Sequence, residues 1–390
     1  MGPGSKTRSF YKPELDLLRF FAFLLVFCYH FLPGELLRGR AAAVFHTGCE
    51  QGVQIFFLLS AFLITSLLLQ EQERTGTVQV KAFYVRRILR IWPLYFLLIL
   101  AAAVLTALRL SQGFPLRALA SFSLLGGNWY VVHHGWVTSP VSPLWTISIE
   151  EQFYLLWPLT LWCFPKRGLV VLSTLFVAGA YAALLWLGGL HAPEYAVRAN
   201  SFVQFQFFAF GAALALCLHG RAFRPGIAGR FALFATGAAA TALAVSRFHL
   251  FAESGATPAE LVWGYLLLAV SAGCTFLGFL NAGLPRWAGP LVYCGRISYG
   301  LYAFHFIAFA WSANLRRWLL PADAGQMLAG AVHIAMTAVL CLALAMLSYY
   351  CLEKPFLRLK QRFTLVKSRD DLHTGSRAYK VPRQVQPTQA

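Results

Sequence analysis

Long apolar runs are the feature that most constrains how this chain folds. A run of about 17 to 25 apolar residues is long enough to cross a bilayer as a helix. Helices pair their backbone polar groups within one segment, which lipid requires. We therefore predict an all-α, polytopic transmembrane helix bundle of about ten spans, near 15–33, 52–70, 88–108, 144–164, 169–189, 202–219, 229–247, 260–282, 296–313 and 328–351.

The composition supports a membrane protein. Hydrophobic residues make up 58% of the 390, charged residues make up 12%, and the mean hydropathy is +0.60. An ordinary soluble globular chain is not this apolar. An eleventh apolar stretch, at 116–132, is interrupted by Gly126, Gly127 and Asn128. We interpret it as a re-entrant or surface segment.

The distribution of positive charge predicts the orientation. If the N-terminus is cytoplasmic, 24 of the 33 Lys and Arg residues lie inside, 8 lie outside, and Arg19 lies in a span. The positive-inside rule therefore favours two cytoplasmic termini. The net charge of +18 is spread over short loops, so we expect anionic membrane lipid and no nucleic acid as a partner. The predicted division is a cytoplasmic N-terminal segment, a membrane domain and a polar, disordered cytoplasmic tail, at 1–14, 15–358 and 359–390.

Two ionisable residues share one face of the first predicted span. Arg19 and His30 are eleven residues apart. That spacing is about 20° more than three helical turns and roughly 16 Å along the axis. Buried ionisable groups in a bilayer are costly, so this face is predicted to line a pocket. Alternatively, Arg19 extends to the headgroups and His30 ends the helix at the interface. Asp16, three residues before Arg19, can pair with it.

A cluster of arginines lies at the cytoplasmic entrance of the third span. Residues 83–95 read FYVRRILRIWPLY and contain Arg86, Arg87 and Arg90. Guanidinium groups bind phosphates through paired hydrogen bonds, so the cluster suits a phosphorylated ligand. Alternatively, these arginines bind no ligand and only anchor the cytoplasmic end of the span, as the positive-inside rule describes.

An acidic pair lies near the outer end of the fourth span. Residues 143–158 read PLWTISIEEQFYLLWP, with Glu150 and Glu151 about two turns inside the predicted boundary. Either carboxylate can orient a histidine or accept its proton. Alternatively, the two carboxylates lie near the helix N-terminus only because negative charge there interacts favourably with the helix dipole.

Two further motifs follow in the last spans. Residues 298–305 read SYGLYAFH and place His305 near the bilayer midplane. A functional histidine and a histidine that only packs and forms a hydrogen bond are equal alternatives there. Residues 348–356 read SYYCLEKPF, and there Pro355 indicates the end of a helix.

The eight cysteines are scattered without a CxxC motif, so we predict no metal site.

Together these motifs identify a resemblance. RFFAFLLVFCYH, FFLLSAFLITSLLL and the four motifs above occur in this order from about residue 14 to 358. The chain resembles the acyltransferase-3 family of bacterial integral-membrane O-acyltransferases. By this resemblance, His30 corresponds to the family's essential histidine and Arg19 to its arginine. Arg87 and Arg90 correspond to the family's paired arginines. At Ala61 the family commonly has glycine.

The resemblance implies an enzyme of the bacterial inner membrane. It would move an acyl group, most simply acetyl, from acyl-CoA to a hydroxyl of a cell-envelope glycan or glycolipid, or alternatively of a secondary metabolite. We expect His30, Glu150 and Glu151 to be catalytic, by direct transfer or through an acyl-histidine. The expected donor-binding residues are Arg19, Arg86, Arg87 and Arg90. The expected supporting residues are Asp16, Trp145, Ser148 and His305. The alternatives are a transporter or flippase and a non-catalytic scaffold.

Overall fold

The computed structural model describes most of the chain. It covers residues 12–32, 39–108, 114–164, 166–221, 223–250, 255–319, 321 and 325–364. The predicted N-terminal segment, apart from its last residues, lies outside this part. So does the predicted tail after residue 364. The three-part division of the chain therefore stays a prediction.

The regular elements among the described residues are helical. Sixteen α-helices follow one another along the chain: α1 Pro13–Phe31, α2 Arg40–Gly48, α3 Gly52–Thr75, α4 Val80–Ala107, α5 Leu116–Ser123, α6 Gly127–His134, α7 Trp145–Cys163, α8 Lys166–Gly189, α9 Glu194–Arg198, α10 Ser201–Cys217, α11 Ile227–Phe248, α12 Pro258–Phe279, α13 Gly289–Arg296, α14 Ser298–Leu319, α15 Gln326–Ser348 and α16 Lys354–Lys360. The predicted all-α bundle is confirmed.

The long helices coincide with the predicted apolar segments. Ten of the described helices have 17 to 28 residues, and each overlaps one predicted span. Six runs in the described part are long and apolar enough to cross a membrane: Arg40–Thr75, Val80–Ala107, Arg167–Gly189, Ile227–Phe248, Pro258–Phe279 and Gln326–Phe363. The total of about ten spans stays a prediction.

Local sequence signals explain several helix ends. Pro13 begins α1, where its fixed backbone angle suits the first turn. Thr257 and Glu260 form a reciprocal capping box at the start of α12. Asn200 accepts a hydrogen bond from the backbone of Phe202 and caps α10. These short-range signals fix where helices start, but not how the helices pack.

Helix α3 forms the centre of the bundle. In the apolar run that contains it, 78% of the most hydrophobic window is buried, against 11% for the run containing α15. Two glycines allow close packing. A Cβ at Gly52 would overlap the Ala22 carbonyl oxygen of α1, and one at Gly211 would overlap the Leu58 carbonyl oxygen of α3. Ala61 is fully buried in this helix.

The interrupted stretch at 116–132 forms two short helices, α5 and α6. The chain turns between them at Leu125, whose φ is 58°. Phe122 and Val131 are fully buried, so one side of this segment belongs to the core. The Asn128 amide nitrogen donates to the Ala199 carbonyl oxygen at 3.0 Å, which ties α6 to the start of α10. The break is present as predicted, and it folds into the bundle.

Candidate active site: two cavities along one helix

Helix α1 supplies a side chain to each of two cavities. Arg19 lines the first cavity, and His30 lines the second. Val53 and Tyr302 line both cavities. The predicted common face of Arg19 and His30 therefore does line a pocket at each end. We name these spaces the arginine cavity and the histidine cavity.

The arginine cavity is narrow, with a volume of about 100 Å³. Its walls come from α1, α3, α4, α7 and α14. Its charged and polar lining residues include Arg19, Ser60, Arg87, Arg90, Glu150 and Tyr154. A space of this size admits an extended chain more readily than a bulky ring system.

The polar groups of the arginine cavity hold one another in place. Arg19 donates to Asp16 at 2.7 Å, so the predicted pair is confirmed. The Arg87 guanidinium carbon lies 5.0 Å from the centre of the Tyr154 ring. Tyr154 donates to Glu150 at 2.7 Å and is also hydrogen-bonded to Ser60. Stacking on an aromatic face orients the planar guanidinium and leaves its edge directed away from the ring, where it can donate.

Arg86 differs from the other arginines of its motif. It donates to the Glu71 carboxylate at 2.7 Å and to the Phe363 carbonyl oxygen at 2.9 Å. It is not among the residues that line the arginine cavity. Adjacent residues on a helix point about 100° apart, so Arg86 and Arg87 face different neighbours. The structure thus gives Arg86 partners outside the arginine cavity, and a role in holding the donor stays a prediction.

The histidine cavity is larger, with a volume of about 590 Å³. That volume falls in the range of small-molecule sites, roughly 300 to 1,000 Å³. Its walls include aromatic rings and hydroxyl groups, among them those of Tyr29, Trp136, Ser139, Ser142, Trp145 and Phe306. His30 is an exposed side chain here.

The structure gives the acidic pair neighbours other than His30. Glu150 lines the arginine cavity, and Glu151 accepts a hydrogen bond from the Trp92 indole at 3.2 Å. Trp145 lines the histidine cavity, so α7 runs from one cavity towards the other. Glu150 lies five residues after Trp145, which is about 7.5 Å further along α7. The sequence does not fix the offset between α1 and α7, so the expected contact of a carboxylate with His30 stays a prediction.

His305 is the histidine that lies beside His30. Their ring centres are 5.5 Å apart. His305 is fully buried, and its Nδ1 lies 2.5 Å from the Tyr302 carbonyl oxygen. A carbonyl oxygen can only accept, so Nδ1 carries a proton, and in the neutral imidazole Nε2 keeps its lone pair. Nε2 is buried and has no hydrogen-bond partner among the described residues.

Sequence reasoning missed an ionic cluster beside the histidine cavity. Arg198, at the end of α9, pairs with Glu50 and donates to Glu194 at 2.5 Å. Its guanidinium carbon lies 5.0 Å from the Trp136 ring centre, and Arg198 also donates to Tyr29 at 3.3 Å. In the sequence these residues are isolated charges between apolar runs, without a motif. The available signal was that Glu50 and Arg198 each stand just before an apolar run.

The ionic cluster keeps a positive charge at the cavity. Burial lowers the pKa of the Arg198 guanidinium, but the negative charges of Glu50 and Glu194 outweigh this effect. The pKa is therefore raised above its usual range. Arg198 lines the histidine cavity as a permanent cation held on two carboxylates.

The remaining predicted residues have clear positions. Trp145 lies with its ring centre 5.6 Å from that of Trp136, so the two form one aromatic wall. The Ser148 hydroxyl accepts a hydrogen bond from the Gly127 backbone at 3.1 Å and fastens α6 to α7. No group of three His, Cys, Asp or Glu residues in the described part of the chain is arranged to hold a metal ion.

Comparison with known proteins decides the family. The family model described as an acyltransferase domain, that of the acyltransferase-3 family, matches residues 12–350. The chain belongs to the acyltransferase-3 family. The match includes every residue of both cavities, so the family's membrane acyltransferase domain is the part that holds the candidate site.

Several curated proteins are similar to this chain. The peptidoglycan O-acetyltransferase OatA of Listeria monocytogenes is 30% identical over 194 residues, which are 47% of this chain and 30% of that protein. The putative peptidoglycan O-acetyltransferase YrhL of Bacillus subtilis is 29% identical over 376 residues, or 88% of this chain and 55% of that protein. A putative O-acetyltransferase of Staphylococcus aureus is 33% identical over 160 residues, or 39% of this chain and 25% of that protein. This chain therefore spans about half or less of each relative. No solved structure matches it.

Proposed function

We propose that this protein is a membrane O-acyltransferase that moves an acyl group, most simply acetyl, from acyl-CoA to a hydroxyl of a cell-envelope glycan or glycolipid. The observation that carries the proposal is that one helix, α1, supplies Arg19 to a narrow cationic cavity and His30 to a wide aromatic one. Family membership and relatives named as peptidoglycan O-acetyltransferases support the reaction class.

The arginine cavity is the proposed donor site. Arg19, Arg87 and Arg90 can donate charge-assisted hydrogen bonds to the phosphates of coenzyme A. The narrow space suits the extended pantetheine arm, which would point the thioester towards Tyr302 and the histidine cavity. With a cytoplasmic N-terminus, Arg19 lies towards the cytoplasmic end of α1, on the side that supplies acyl-CoA.

His30 is the proposed general base. It takes the proton from the acceptor hydroxyl while the hydroxyl oxygen bonds to the thioester carbonyl carbon. The carbon–sulfur bond then breaks, and the imidazolium returns the proton to the departing thiolate. His305 lies beside this imidazole with the free lone pair of Nε2, so we assign it a positioning role in place of Glu150 or Glu151.

The histidine cavity is the proposed acceptor site. Trp136, Trp145 and Phe306 offer flat apolar surfaces to the carbon–hydrogen faces of a sugar ring. Ser139 and Ser142 offer hydroxyl groups that can donate to and accept from sugar hydroxyls. This combination of aromatic and hydroxyl groups supports a glycan or glycolipid acceptor over a purely lipidic one.

Acyl transfer by the purified full chain tests the proposal. The protein is reconstituted with radiolabelled acetyl-CoA and envelope glycans from a strain that lacks it, and label in the glycan is counted. His30→Gln is expected to reduce transfer by about 10²-fold to 10⁴-fold, because an amide cannot act as a base. His219→Gln is the matched control, since His219 pairs with Glu73 away from both cavities. Equal activity of His30→Gln and the control would refute the catalytic role.

The same assay separates the enzyme from a transporter. Two cavities that meet at shared residues would also suit passage of a solute. A transporter would move labelled envelope precursor across sealed vesicles without forming a new ester. Mass spectrometry of the glycan reports the added mass of the acyl group and so distinguishes the two functions.

A further inference from the structure

We propose that Val53 and Tyr302 form a constriction between the two cavities, and that this constriction selects the length of the transferred acyl group. The inference rests on the proposed function and adds a specificity-determining role to it. It starts from the fact that Val53 and Tyr302 line both the arginine cavity and the histidine cavity.

Both residues are firmly held where the cavities meet. Val53 is 5% exposed in the first turn of α3, and Tyr302 is 8% exposed on α14. The Tyr302 hydroxyl is hydrogen-bonded to Thr146 at 3.1 Å and lies 3.4 Å from the Pro143 carbonyl oxygen. Contacts at both the hydroxyl and the ring fix the side chain, so the width of the passage is set by packing.

Phe56 supports the ring of Tyr302. Their ring centres are 6.0 Å apart in an edge-to-face arrangement, and Phe56 also lines the arginine cavity. One turn of α3 thus supplies both Val53 and the aromatic support for Tyr302. A rigid wall of this kind discriminates by size, because a larger group must displace well-packed neighbours.

The acyl group has to pass these two residues. The proposed phosphate-binding arginines lie in one cavity, and the proposed base His30 lies in the other. For the acceptor oxygen to bond to the acyl carbon and the thiol to leave, the carbonyl group must reach His30. Either the pantetheine arm carries it through the constriction or the acyl chain extends through first. In both cases the acyl chain meets Val53 and Tyr302.

Changing Val53 in opposite directions is expected to change chain-length preference in opposite directions. Val53→Ala widens the passage, and Val53→Ile narrows it by one methyl group. One methylene in an apolar pocket typically changes discrimination by about tenfold or more. We expect Val53→Ala to raise the butyryl-to-acetyl ratio of kcat/KM about tenfold, and Val53→Ile to lower the propionyl-to-acetyl ratio.

The assay uses inverted membrane vesicles from a strain of the source bacterium that carries each variant in place of the original chain. Labelled acetyl-, propionyl- or butyryl-CoA is added, and label in the envelope glycan is counted. Val203→Ala is the matched control, because Val203 is a fully buried valine of α10 that lines neither cavity. It should retain the original ratios.

The outcomes separate the constriction from the function on which it rests. Opposite shifts in the two Val53 variants, with none in the control, support the constriction. If the unmodified chain transfers acetyl but an active Val53 variant keeps the original ratios, the constriction is wrong and the acyltransferase function stands. If the unmodified chain forms no ester with any donor, the proposed function fails and the constriction fails with it.

Discussion

The ionic cluster at the histidine cavity predicts a large, specific loss of stability when Arg198 is replaced by methionine. Arg198 and Glu50 are 9% and 2% exposed in their side chains, so neither charge is solvated by water. Methionine retains much of the arginine stem but removes the guanidinium. Glu50 then remains as a buried carboxylate without its partner.

The size of the loss follows from this burial. Removing one partner of a buried ion pair typically costs about 3 to 5 kcal/mol, because the other charge is left uncompensated. The Glu194 side chain is 17% exposed and can be solvated by water, so its lost partner adds less to the loss of stability. Glu50→Gln alone should cost less than Arg198→Met, since Arg198 still donates to Glu194 at 2.5 Å. In the double variant the uncompensated carboxylate is gone, so the two losses should not add.

Reversible unfolding in mixed micelles measures this double-mutant cycle. The original chain, Arg198→Met, Glu50→Gln and the double variant are compared for their free energy of unfolding. We expect the double variant to be more stable than the sum of the single losses predicts, by about 1 to 3 kcal/mol. Additive losses, or an Arg198→Met loss below about 1 kcal/mol, would refute the reasoning. Acyl transfer by the double variant, which lacks the Arg198 guanidinium, reports separately whether this cation is needed for activity.

Two further predictions concern the donor site and its side of the membrane. Arg87→Lys should raise the apparent KM for acyl-CoA more than that for the glycan, because lysine keeps the charge but lacks the planar guanidinium. Arg86→Lys is the matched control. An equal rise in the KM for acyl-CoA in both variants would contradict the assignment of Arg87 to the donor site. In a cysteine-free background with cytoplasmic termini, a single cysteine at Thr77 should react with an impermeant thiol reagent only after permeabilisation, whereas one at Glu35, outside the described residues, should react in intact cells. The reverse pattern would invert the topology.

The sequence by itself determined the elements of the fold. Apolar run length predicted the long helices, because lipid leaves few ways to satisfy a backbone. Helical periodicity also predicted that Arg19 and His30 face the same side, and that Asp16 pairs with Arg19. These relations lie within one helix, where geometry is fixed by 3.6 residues per turn.

Tertiary structure decided the relations between helices. Sequence periodicity says nothing about how far one helix is shifted along another. That offset placed Glu150 in the arginine cavity with Arg19 and Arg87, and it left His30 beside His305. It also brought Glu50 to Arg198, 148 residues apart in the chain. Such contacts depend on the packing of whole helix faces, including the close approaches allowed by small residues, and no local pattern encodes them.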